Sequence, residues 1–242
     1  MLVTGGSKGI GAATVWLAAQ QGWRTAFCYR SDTAAAEALL QRLNDAGHAA
    51  LAVQADVADE TAVAQLFART AQAFGRIDCL VNNAGIVFAK SSLADMELSR
   101  WQSLFATNVL GSLLCARAAV RHMSTAYGGR GGSIVNVGSV ASRLGAGGRY
   151  VDYAASKGAI DSLTIGLAQE LAAEGIRVNA VRPGVVGTDI HNDSPEQMQQ
   201  RAQAIPLQRI ATPDEVAQAI VWLASPAASY VTGALLDVAG GR

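Results

Sequence analysis

Short apolar runs alternate with longer helical stretches along almost the whole chain. The apolar runs lack the polar alternation of a half-exposed strand, so each is predicted to be a strand that is buried on both faces. These runs fall at residues 1–4, 25–29, 49–54, 78–82, 133–137, 176–181 and 234–238. The stretches between them are predicted to be helices, several of which end at a glycine such as Gly22, Gly47 or Gly75. The predicted helices cover residues 9–22, 33–46, 60–74, 97–126, 152–174, 194–204 and 213–224.

This alternation defines the fold class. Strands that are separated by helices predict an α/β protein with a single doubly wound parallel sheet of about seven strands and helices on both faces. The sequence contains no internal linker, repeat or low-complexity tract. Residues 1–242 are therefore predicted to form one domain.

Composition restricts the classes of partner. Apolar residues make up 50% of the chain and charged residues only 16%, which is below the usual quarter and predicts that part of the surface is buried between subunits. A formal net charge of zero and the lack of a basic run argue against nucleic acid and anionic membranes as partners. No apolar run approaches the ~20 residues of a membrane span. Met1 leads directly into the first strand, which leaves no room for a signal peptide, although that strand looks clipped and the natural start could lie upstream. The protein is expected to be cytoplasmic.

The cysteines and histidines give no sign of a metal site. Cys28, Cys79 and Cys115 are odd in number, far apart and embedded in apolar segments. Core thiols in a reducing compartment are the simplest interpretation. The three histidines have no metal-type spacing with one another or with cysteine. No metal is expected.

A glycine-rich loop follows the first predicted strand. The sequence TGGSKGIG at residues 4–11 places Gly5, Gly9 and Gly11 between that strand and the next helix. Glycines at such a turn allow the backbone to approach a pyrophosphate, and the helix N-terminus adds N–H donors and a positive dipole. Any turn between a strand and a helix can use glycines, but the position at the first such turn favours a dinucleotide site.

The end of the second strand bears on the choice of cofactor. An acid there would bind the ribose 2′-hydroxyl of NAD, whereas an arginine accommodates the 2′-phosphate of NADP. The strand ends in Tyr29, Arg30 and Ser31, and Lys8 in the glycine loop could add a second cation. Asp32 falls slightly later, where it is interpreted as the N-cap of the helix at 33–46. The sequence therefore predicts NADP(H) as the preferred cofactor and leaves NAD(H) open.

Tyr153 and Lys157 are the strongest candidates for acid–base chemistry. They are four residues apart, so on a helix they lie on one face about 5.4 Å apart. A lysine cation beside a phenol lowers the pKa of the phenol, and Ser139 could hydrogen-bond an oxygen that it shares with Tyr153. Such a pair is also common as a solvated surface feature. Tyr150 is a rival phenol, but residue 154 is alanine, so Tyr150 lacks the lysine partner.

Taken together, the ordered motifs resemble those of the short-chain dehydrogenase/reductase superfamily over essentially all 242 residues. Within the superfamily, the sequence is more similar to the beta-ketoacyl reductase-like and glucose dehydrogenase-like branches. The motifs are TGGSKGIG (4–11), Asp56-Val57, NNAG (82–85), Asn108, Ser139, YAASK (153–157) and Pro183-Gly184 followed by Thr188.

The resemblance implies a Rossmann-type fold and a role for each matching residue. Tyr153 would exchange the proton, Lys157 would lower its pKa and bind the nicotinamide ribose, and Ser139 would hold the substrate oxygen. Asn108 would anchor a water that relays protons from Lys157, although it would otherwise be a polar helix residue that is satisfied locally. The implied catalytic residues are Asn108, Ser139, Tyr153 and Lys157. The implied cofactor-binding residues are Gly5, Ser7, Lys8, Gly9, Ile10, Gly11, Arg30, Ser31, Asp56, Val57, Asn83, Ala84, Gly85, Tyr153, Lys157, Pro183, Gly184, Val186 and Thr188.

Two of these assignments have a plain structural alternative. Asp56 would meet the adenine amino group with Val57 at its flank, but an aspartate at this place also caps helices. Asn83, Ala84 and Gly85 would run beside the cofactor ribose, but by sequence logic they are a turn after the fourth strand.

The expected function follows from the resemblance. The protein would interconvert a carbonyl and a secondary alcohol by hydride transfer with NADP(H), and the alternative is an NAD-dependent sugar or alcohol dehydrogenase. A non-catalytic dinucleotide-binding sensor is less favoured, because the catalytic set is intact. The partner would be a small carbonyl or alcohol substrate, and the family implies a homotetramer.

Substrate specificity is expected around the nicotinamide and in a lid at about residues 189–205. Ser139, Val140, Tyr150 and His191 are the main candidates for contact with the substrate, although His191 also fits a solvated loop histidine. Further candidates are Ile86, Val87, Phe88 and Leu144.

Overall fold

The computed structural model describes residues 1–188 and 195–242. Within these residues it contains a seven-stranded sheet in the order β3-β2-β1-β4-β5-β6-β7, and every pair of neighbouring strands is parallel. The strands are β1 (Leu2–Val3), β2 (Thr25–Tyr29), β3 (Ala50–Gln54), β4 (Cys79–Asn82), β5 (Gly132–Val137), β6 (Ile176–Pro183) and β7 (Leu235–Val238). The predicted α/β class and doubly wound parallel sheet are confirmed.

The helices follow the strands as the sequence pattern predicts, with ends that differ by a few residues. Gly22, Gly47 and Gly75 follow their helices with positive φ angles of 86°, 75° and 80°, the conformation that lets a glycine end a helix. The α-helices of the described residues are α1 (Gly9–Gln20), α2 (Thr33–Asp45), α3 (Glu60–Phe74), α4 (Leu98–Phe105), α5 (Gly111–Met123), α6 (Ala141–Leu144), α7 (Val151–Leu171), α8 (Pro195–Gln203) and α9 (Pro213–Ala224).

Each face of the sheet has its own hydrophobic core. Successive residues of a strand point to opposite faces, and the two residues of β1 show this directly. Val3 belongs to the cluster under α1, α2 and α9, whereas Leu2 belongs to the cluster under α3, α5 and α7. Both residues are fully buried. The apolar strands that suggested a two-faced sheet are therefore explained by packing on both sides.

The long helix predicted over residues 97–126 is interrupted. α4 continues into a π-helical turn over residues 106–110 before α5 begins, and a 3₁₀ turn over residues 125–127 follows. Asn108 lies inside the π turn. Single π turns inside α-helices are frequent at functional sites. The hydrophobic spacing did not reveal the interruption, because it depends on contacts that Asn108 makes far along the chain.

One helix corrects the expectation that no segment could cross a membrane. Among the described residues, the segment Leu98–Met123 is long and apolar enough to do so by length and composition alone. It is a core helix of this fold, because α5 packs against α3, β4 and β5, and α4 packs against α7. The three cysteines are buried and not disulfide-bonded, which agrees with the prediction of core thiols.

Candidate active site

A cavity of about 1050 Å³ opens at the carboxyl ends of the strands. This is the edge at which open parallel sheets bind ligands, near the point where the strand order reverses. The structure brings most of the predicted site residues together in its walls. Those that line the cavity are Gly5, Lys8, Gly9, Ile10, Arg30, Asn83, Ala84, Gly85, Ser139, Val140, Tyr150, Tyr153, Lys157, Pro183, Gly184, Val186 and Thr188.

Eight other predicted residues do not line the cavity. They are Ser7, Gly11, Ser31, Asp56, Val57, Val87, Phe88 and Asn108. His191 and the first part of the predicted lid, residues 189–194, lie outside the described residues. The remaining part of the lid begins with α8, which contributes Arg201 to the cavity wall.

The glycine loop is held against the turn after β4. Asn83 donates from its side-chain amide to the carbonyl oxygens of Thr4 and Gly5, both at 2.9 Å. The hydroxyl of Thr4 accepts from the backbone N–H groups of Asn83 and Ala84, both at 3.0 Å. Gly11 closes the arrangement, because a Cβ there would lie 2.3 Å from the Gly5 carbonyl oxygen and 2.6 Å from the Asn83 amide nitrogen. Backbone therefore approaches the cavity closely here, as a pyrophosphate site requires.

Two cations stand at the same end of the cavity. Lys8 and Arg30 both line its wall, and Lys8 also forms an ion pair with Asp32. Asp32 caps α2 by accepting from the backbone N–H of Ala35 at 2.9 Å, as predicted. The hydrogen bonds from Lys8 and from Ala35 hold the pKa of Asp32 below its usual value. The Asp32 carboxylate is therefore paired with Lys8 and is not free to bind a ribose hydroxyl.

Asp56 does not cap a helix. Its carboxylate accepts from the backbone N–H of Ala58 at 2.9 Å, whereas Asp59 caps α3 with bonds of 2.7 and 3.1 Å to the first-turn N–H groups. The helix-cap alternative for Asp56 was therefore wrong. Val57 is buried and packs against Gly111, where a Cβ would approach its side chain to 2.7 Å.

Ser139, Tyr153 and Lys157 meet in the wall of the cavity. Tyr153 lies in the first turn of α7, and the Lys157 ammonium nitrogen is 5.7 Å from the centre of its ring. Lys157 donates to the carbonyl oxygen of Val137, the last residue of β5, at 2.7 Å. Ser139 follows β5 two residues later, and its hydroxyl accepts from the backbone N–H of Ala141 at 3.1 Å. The end of β5 and the first two turns of α7 thus position the three groups.

The protonation states differ from the sequence-based expectation. Burial raises the pKa of the Tyr153 phenol to about 12, and a hydrogen bond with Ser139 only partly opposes this. Burial lowers the pKa of Lys157 to about 8, against the negative charge of Asp161. The expected net lowering of the tyrosine pKa is therefore wrong for this structure, since desolvation by burial outweighs the groups that favour the phenolate. At neutral pH the phenol is protonated, which is the state that a proton donor needs.

Asn108 does not line the cavity, but its side chain binds residues of the cavity wall and of α7. Its side chain accepts from the backbone N–H of Ile86 at 2.8 Å and donates to the Ile86 carbonyl at 3.0 Å. It also donates to the hydroxyl of Ser156 at 3.1 Å. Gly85 lies between Asn108 and Lys157, because a Cβ there would be 3.4 Å from the amide oxygen of the first and 3.6 Å from the nitrogen of the second. The π turn therefore joins the segment after β4 to α7, beside Lys157.

An ion pair that sequence reasoning missed lies at the start of α7. Arg100 on α4 contacts Asp152 through two hydrogen bonds, from Nε at 2.7 Å and from Nη2 at 3.2 Å. Asp152 is 5% exposed and also accepts from the N–H of Tyr153 at 2.9 Å. Although burial acts to raise it, the pKa of Asp152 is held below its usual value by Arg100. An acid in a first helical turn is visible in a sequence, but its partner 52 residues away is not.

Sequence reasoning also missed part of the substrate side of the cavity. The loop after β5 contains the short helix α6, which the hydrophobic pattern did not predict. Further lining residues that no motif marked are Gly138, Ala141, Ala146, Gly147, Arg149, Val185, Arg201 and Arg242.

Comparison with known proteins places this geometry in context. A family model described as enoyl-(acyl carrier protein) reductase matches residues 5–242. The chain is 49% identical to uncharacterized oxidoreductase YgfF of Escherichia coli K12, over all of this chain and 98% of that protein. It is 42% identical to cis-4-hydroxycyclohexanecarboxylate dehydrogenase of Sinomonas cyclohexanicum, over 99% of this chain and 94% of that protein. It is 41% identical to a 3-oxoacyl-[acyl-carrier-protein] reductase of Synechocystis sp., over 99% and 95%.

Solved structures agree closely in fold. A short-chain dehydrogenase from Burkholderia cenocepacia in complex with NADP is 36% identical with a TM-score of 0.92, over 99% of this chain and 96% of that chain. A 3-ketoacyl-(acyl-carrier-protein) reductase from Brucella melitensis complexed with NADH is 34% identical with a TM-score of 0.93, over 100% and 96%. Similar chains thus bind either cofactor.

Proposed function

The chain belongs to the short-chain dehydrogenase/reductase family, and on that premise we propose that it uses NADP(H) to interconvert a carbonyl and a secondary alcohol. The family makes it an oxidoreductase acting on alcohol or carbonyl substrates. The observation that carries the proposal is the meeting of Ser139, Tyr153 and Lys157 in the same cavity as the glycine loop. That intact set also disfavours a non-catalytic sensor.

The proposed chemistry assigns one task to each residue of the set. When bound, the nicotinamide cofactor supplies or accepts the hydride. The Tyr153 phenol, protonated at neutral pH, donates its proton to the oxygen of a carbonyl substrate, and Ser139 holds the same oxygen by a hydrogen bond. The buried Lys157 cation lies beside the phenol and favours the phenolate that this step forms. Alcohol oxidation follows the same steps in reverse.

The residues at the glycine-loop end fit a dinucleotide. Gly5 lines the cavity, and Gly11 has no room for a side chain against the Gly5 carbonyl, so the loop packs tightly where a pyrophosphate would approach. Lys8 and Arg30 present positive charge to the cavity. Arg30 at the end of β2 supports NADP, because an arginine there accommodates a 2′-phosphate. The pairing of Asp32 with Lys8 supports the same choice, since it occupies the nearby acid. The alternative, an NAD-dependent sugar or alcohol dehydrogenase, would require Asp32 to leave Lys8 and read the ribose.

Measurements of cofactor binding distinguish the NADP(H)-dependent enzyme from the NAD-dependent alternative. In a fluorescence titration, NADPH should bind more tightly than NADH, and Arg30→Gln should weaken NADPH binding about tenfold while changing NADH binding less. Arg130→Gln, an exposed arginine outside the cavity, serves as the matched control. Tighter binding of NADH by the wild-type protein would contradict the NADP proposal and favour the alternative.

We further propose a cytoplasmic homotetramer. Large apolar side chains are exposed on both sides of the sheet, including Leu98, Phe105 and Leu113 on α4 and α5 on one side and Trp222 on α9 on the other. Such patches are typical of surfaces that subunits bury. Light scattering on a sizing column should give about four times the mass of 25.0 kDa. A monomeric mass would contradict this proposal without affecting the reaction.

A further inference from the structure

The cavity is far more positive than the chain as a whole. The chain has 19 basic and 19 acidic side chains. Yet no aspartate or glutamate of the described residues lines the cavity, whereas six cationic side chains do. They are Lys8, Arg30, Arg149, Lys157, Arg201 and Arg242. A cleft lined by one sign of charge concentrates ligands of the opposite sign.

Apart from Lys157, which lies beside Tyr153, the cations form two groups along the sheet. Lys8 and Arg30 follow β1 and β2, where the dinucleotide phosphates are proposed to bind. Arg149, Arg201 and Arg242 follow β5, β6 and β7. Two strand spacings separate β1 from β5 and five separate β2 from β7, which at about 4.8 Å each is about 10 to 24 Å. The second group therefore lies beyond the strands whose ends are proposed to hold the adenosine end of the cofactor.

Two of these arginines have an anchored backbone and an uncommitted side chain. The carbonyl oxygen of Arg149 accepts from the N–H of Ser91 at 3.1 Å, and a main-chain carboxylate oxygen of Arg242, the last residue of the sequence, accepts from Arg143 at 2.6 Å. Arg143 itself pairs with Asp237. Within the described part of the chain, neither the Arg149 nor the Arg242 guanidinium forms an ion pair. Both are exposed in the cavity wall and available to a ligand.

The wall beside these arginines is apolar. Ile86, Val140 and Leu144 line the same cavity as Tyr153, and Val140 and Leu144 lie on the segment that joins Ser139 to the loop bearing Arg149. A hydrocarbon body would contact these side chains favourably. A ligand that fills this region would thus carry an oxygen for Tyr153, an apolar body and a negative group.

We propose that Arg149 and Arg242 form an anion subsite that binds the carboxylate of a hydroxy or keto acid. This deepens the proposed function and rests on it, because the other end of the acid would be the carbonyl or alcohol carbon that reacts at Tyr153. The planar guanidinium matches a carboxylate with two parallel hydrogen bonds, which gives orientation as well as affinity. The subsite determines which substrates bind, whereas Tyr153 transfers the proton.

The first test measures binding without turnover. Cyclohexanecarboxylate and cyclohexanecarboxamide, which lack a reacting oxygen, are titrated into the protein saturated with NADPH. The carboxylate should bind at least about tenfold more tightly than the amide, and this preference should disappear in Arg149→Gln and Arg242→Gln and return in part in Arg149→Lys. Arg130→Gln is the matched control and should keep it. Equal binding of the two probes by the wild-type protein would overturn the proposal.

The second test measures turnover, and its outcomes distinguish failure of the anion subsite from failure of the proposed reductase function. The probes are 4-oxocyclohexanecarboxylate and its neutral methyl ester. The ratio of kcat/KM for the acid to that for the ester should exceed about ten and should fall toward one in Arg149→Gln. A ratio near one in the wild-type protein would overturn the subsite while leaving the reductase function in place. If neither ketone nor any neutral ketone is reduced, the proposed function fails, even where the carboxylate still binds. Inhibition by inorganic phosphate as strong as that by cyclohexanecarboxylate would overturn the assignment to a carboxylate.

Discussion

The glycine loop of residues 4–11 and the wall around Tyr153 form two ends of one cavity, yet different contacts hold them in place. At the glycine-loop end, backbone packs on backbone, and one side chain, Asn83, fixes two consecutive carbonyls. At the catalytic end, side chains from α4, the π turn and α7 meet through buried charges and amides. The glycine-loop end depends on backbone conformation, whereas the end around Tyr153 depends on side-chain contacts with residues distant in the sequence. Substitutions at the two ends should therefore impair different properties, cofactor binding at the first and turnover or stability at the second.

Removing the phenol should produce the largest effect and should separate the two ends most clearly. Tyr153→Phe deletes the proton donor, so kcat should fall about 10²- to 10⁴-fold, while the dissociation constant for NADPH should stay within about threefold. Steady-state kinetics and fluorescence titration measure the two quantities. Tyr127→Phe removes an exposed phenol far from the cavity and should change neither. Loss of NADPH binding in Tyr153→Phe would show that the two ends are not independent.

Breaking the buried pair at the start of α7 should test how the catalytic end is held. Arg100→Met leaves the Asp152 carboxylate, with a side chain 2% exposed, without its partner. The free energy of unfolding in urea should fall by about 3 kcal/mol or more. Arg117→Met breaks an exposed pair with Glu60 and should cost no more than about 1 kcal/mol.

The double variant Arg100→Met/Asp152→Asn removes both charges and keeps an acceptor for the N–H of Tyr153. It should recover much of the lost stability, because an unpaired buried charge causes most of the loss. No recovery would mean instead that the arginine acts mainly through its hydrogen bond to the carbonyl of Ala89.

The pH dependence of stability should reveal the burial of Lys157. Its pKa is about 8 in the folded protein, against 10.5 for a free side chain, so the unfolded chain binds more protons between these values. Lys157 alone should therefore raise stability with pH in that window, by about 2 kcal/mol between pH 8 and 10. Burial also raises the pKa values of the Cys28, Cys79 and Cys115 thiols. The unfolded chain deprotonates these thiols in the same window, so they oppose the rise, as does Tyr153 above pH 10.

Urea unfolding of the wild-type protein and of Lys157→Met at pH 8 and pH 10 isolates the contribution of Lys157. The change in stability from pH 8 to pH 10 should be about 2 kcal/mol less favourable in Lys157→Met than in the wild-type protein, whereas Lys90→Met, which removes an exposed lysine, should match the wild-type protein. Equal pH dependence in the two variants would place the titrating group elsewhere.

The glycine-loop end could be predicted from the sequence because its determinants are local. TGGSKGIG occupies eight consecutive residues between a strand and a helix, and the N-cap role of Asp32 needs only the helix that follows it. The seven apolar runs likewise defined the sheet, since a strand buried on both faces must be apolar along its whole length.

The catalytic end could be predicted only in part. Tyr153 and Lys157 are four residues apart, so their proximity was visible, but the direction of the tyrosine pKa shift depends on burial that no local pattern records. The interruption at Asn108 and the pair of Arg100 with Asp152 depend on partners 22 to 52 residues away. Arg149, Arg201 and Arg242 line one cavity because the strand order brings the segments after β5, β6 and β7 to the same part of the sheet edge.

A single methyl group at the glycine loop should give the smallest effect and complete the contrast. Gly11 has an ordinary helical backbone, so only space opposes Gly11→Ala, where the new Cβ would meet the Gly5 carbonyl at 2.3 Å. The loop must move, and NADPH should bind at least about tenfold more weakly, while kcat at saturating NADPH should change less. Gly166→Ala on α7, where a Cβ would meet nothing within 4 Å, should instead stabilise the protein by about 1 kcal/mol. If Gly11→Ala lowered stability but kept the KM for NADPH, the close approach would serve packing of α1 rather than the cofactor, and the contrast between the two ends would have to be redrawn.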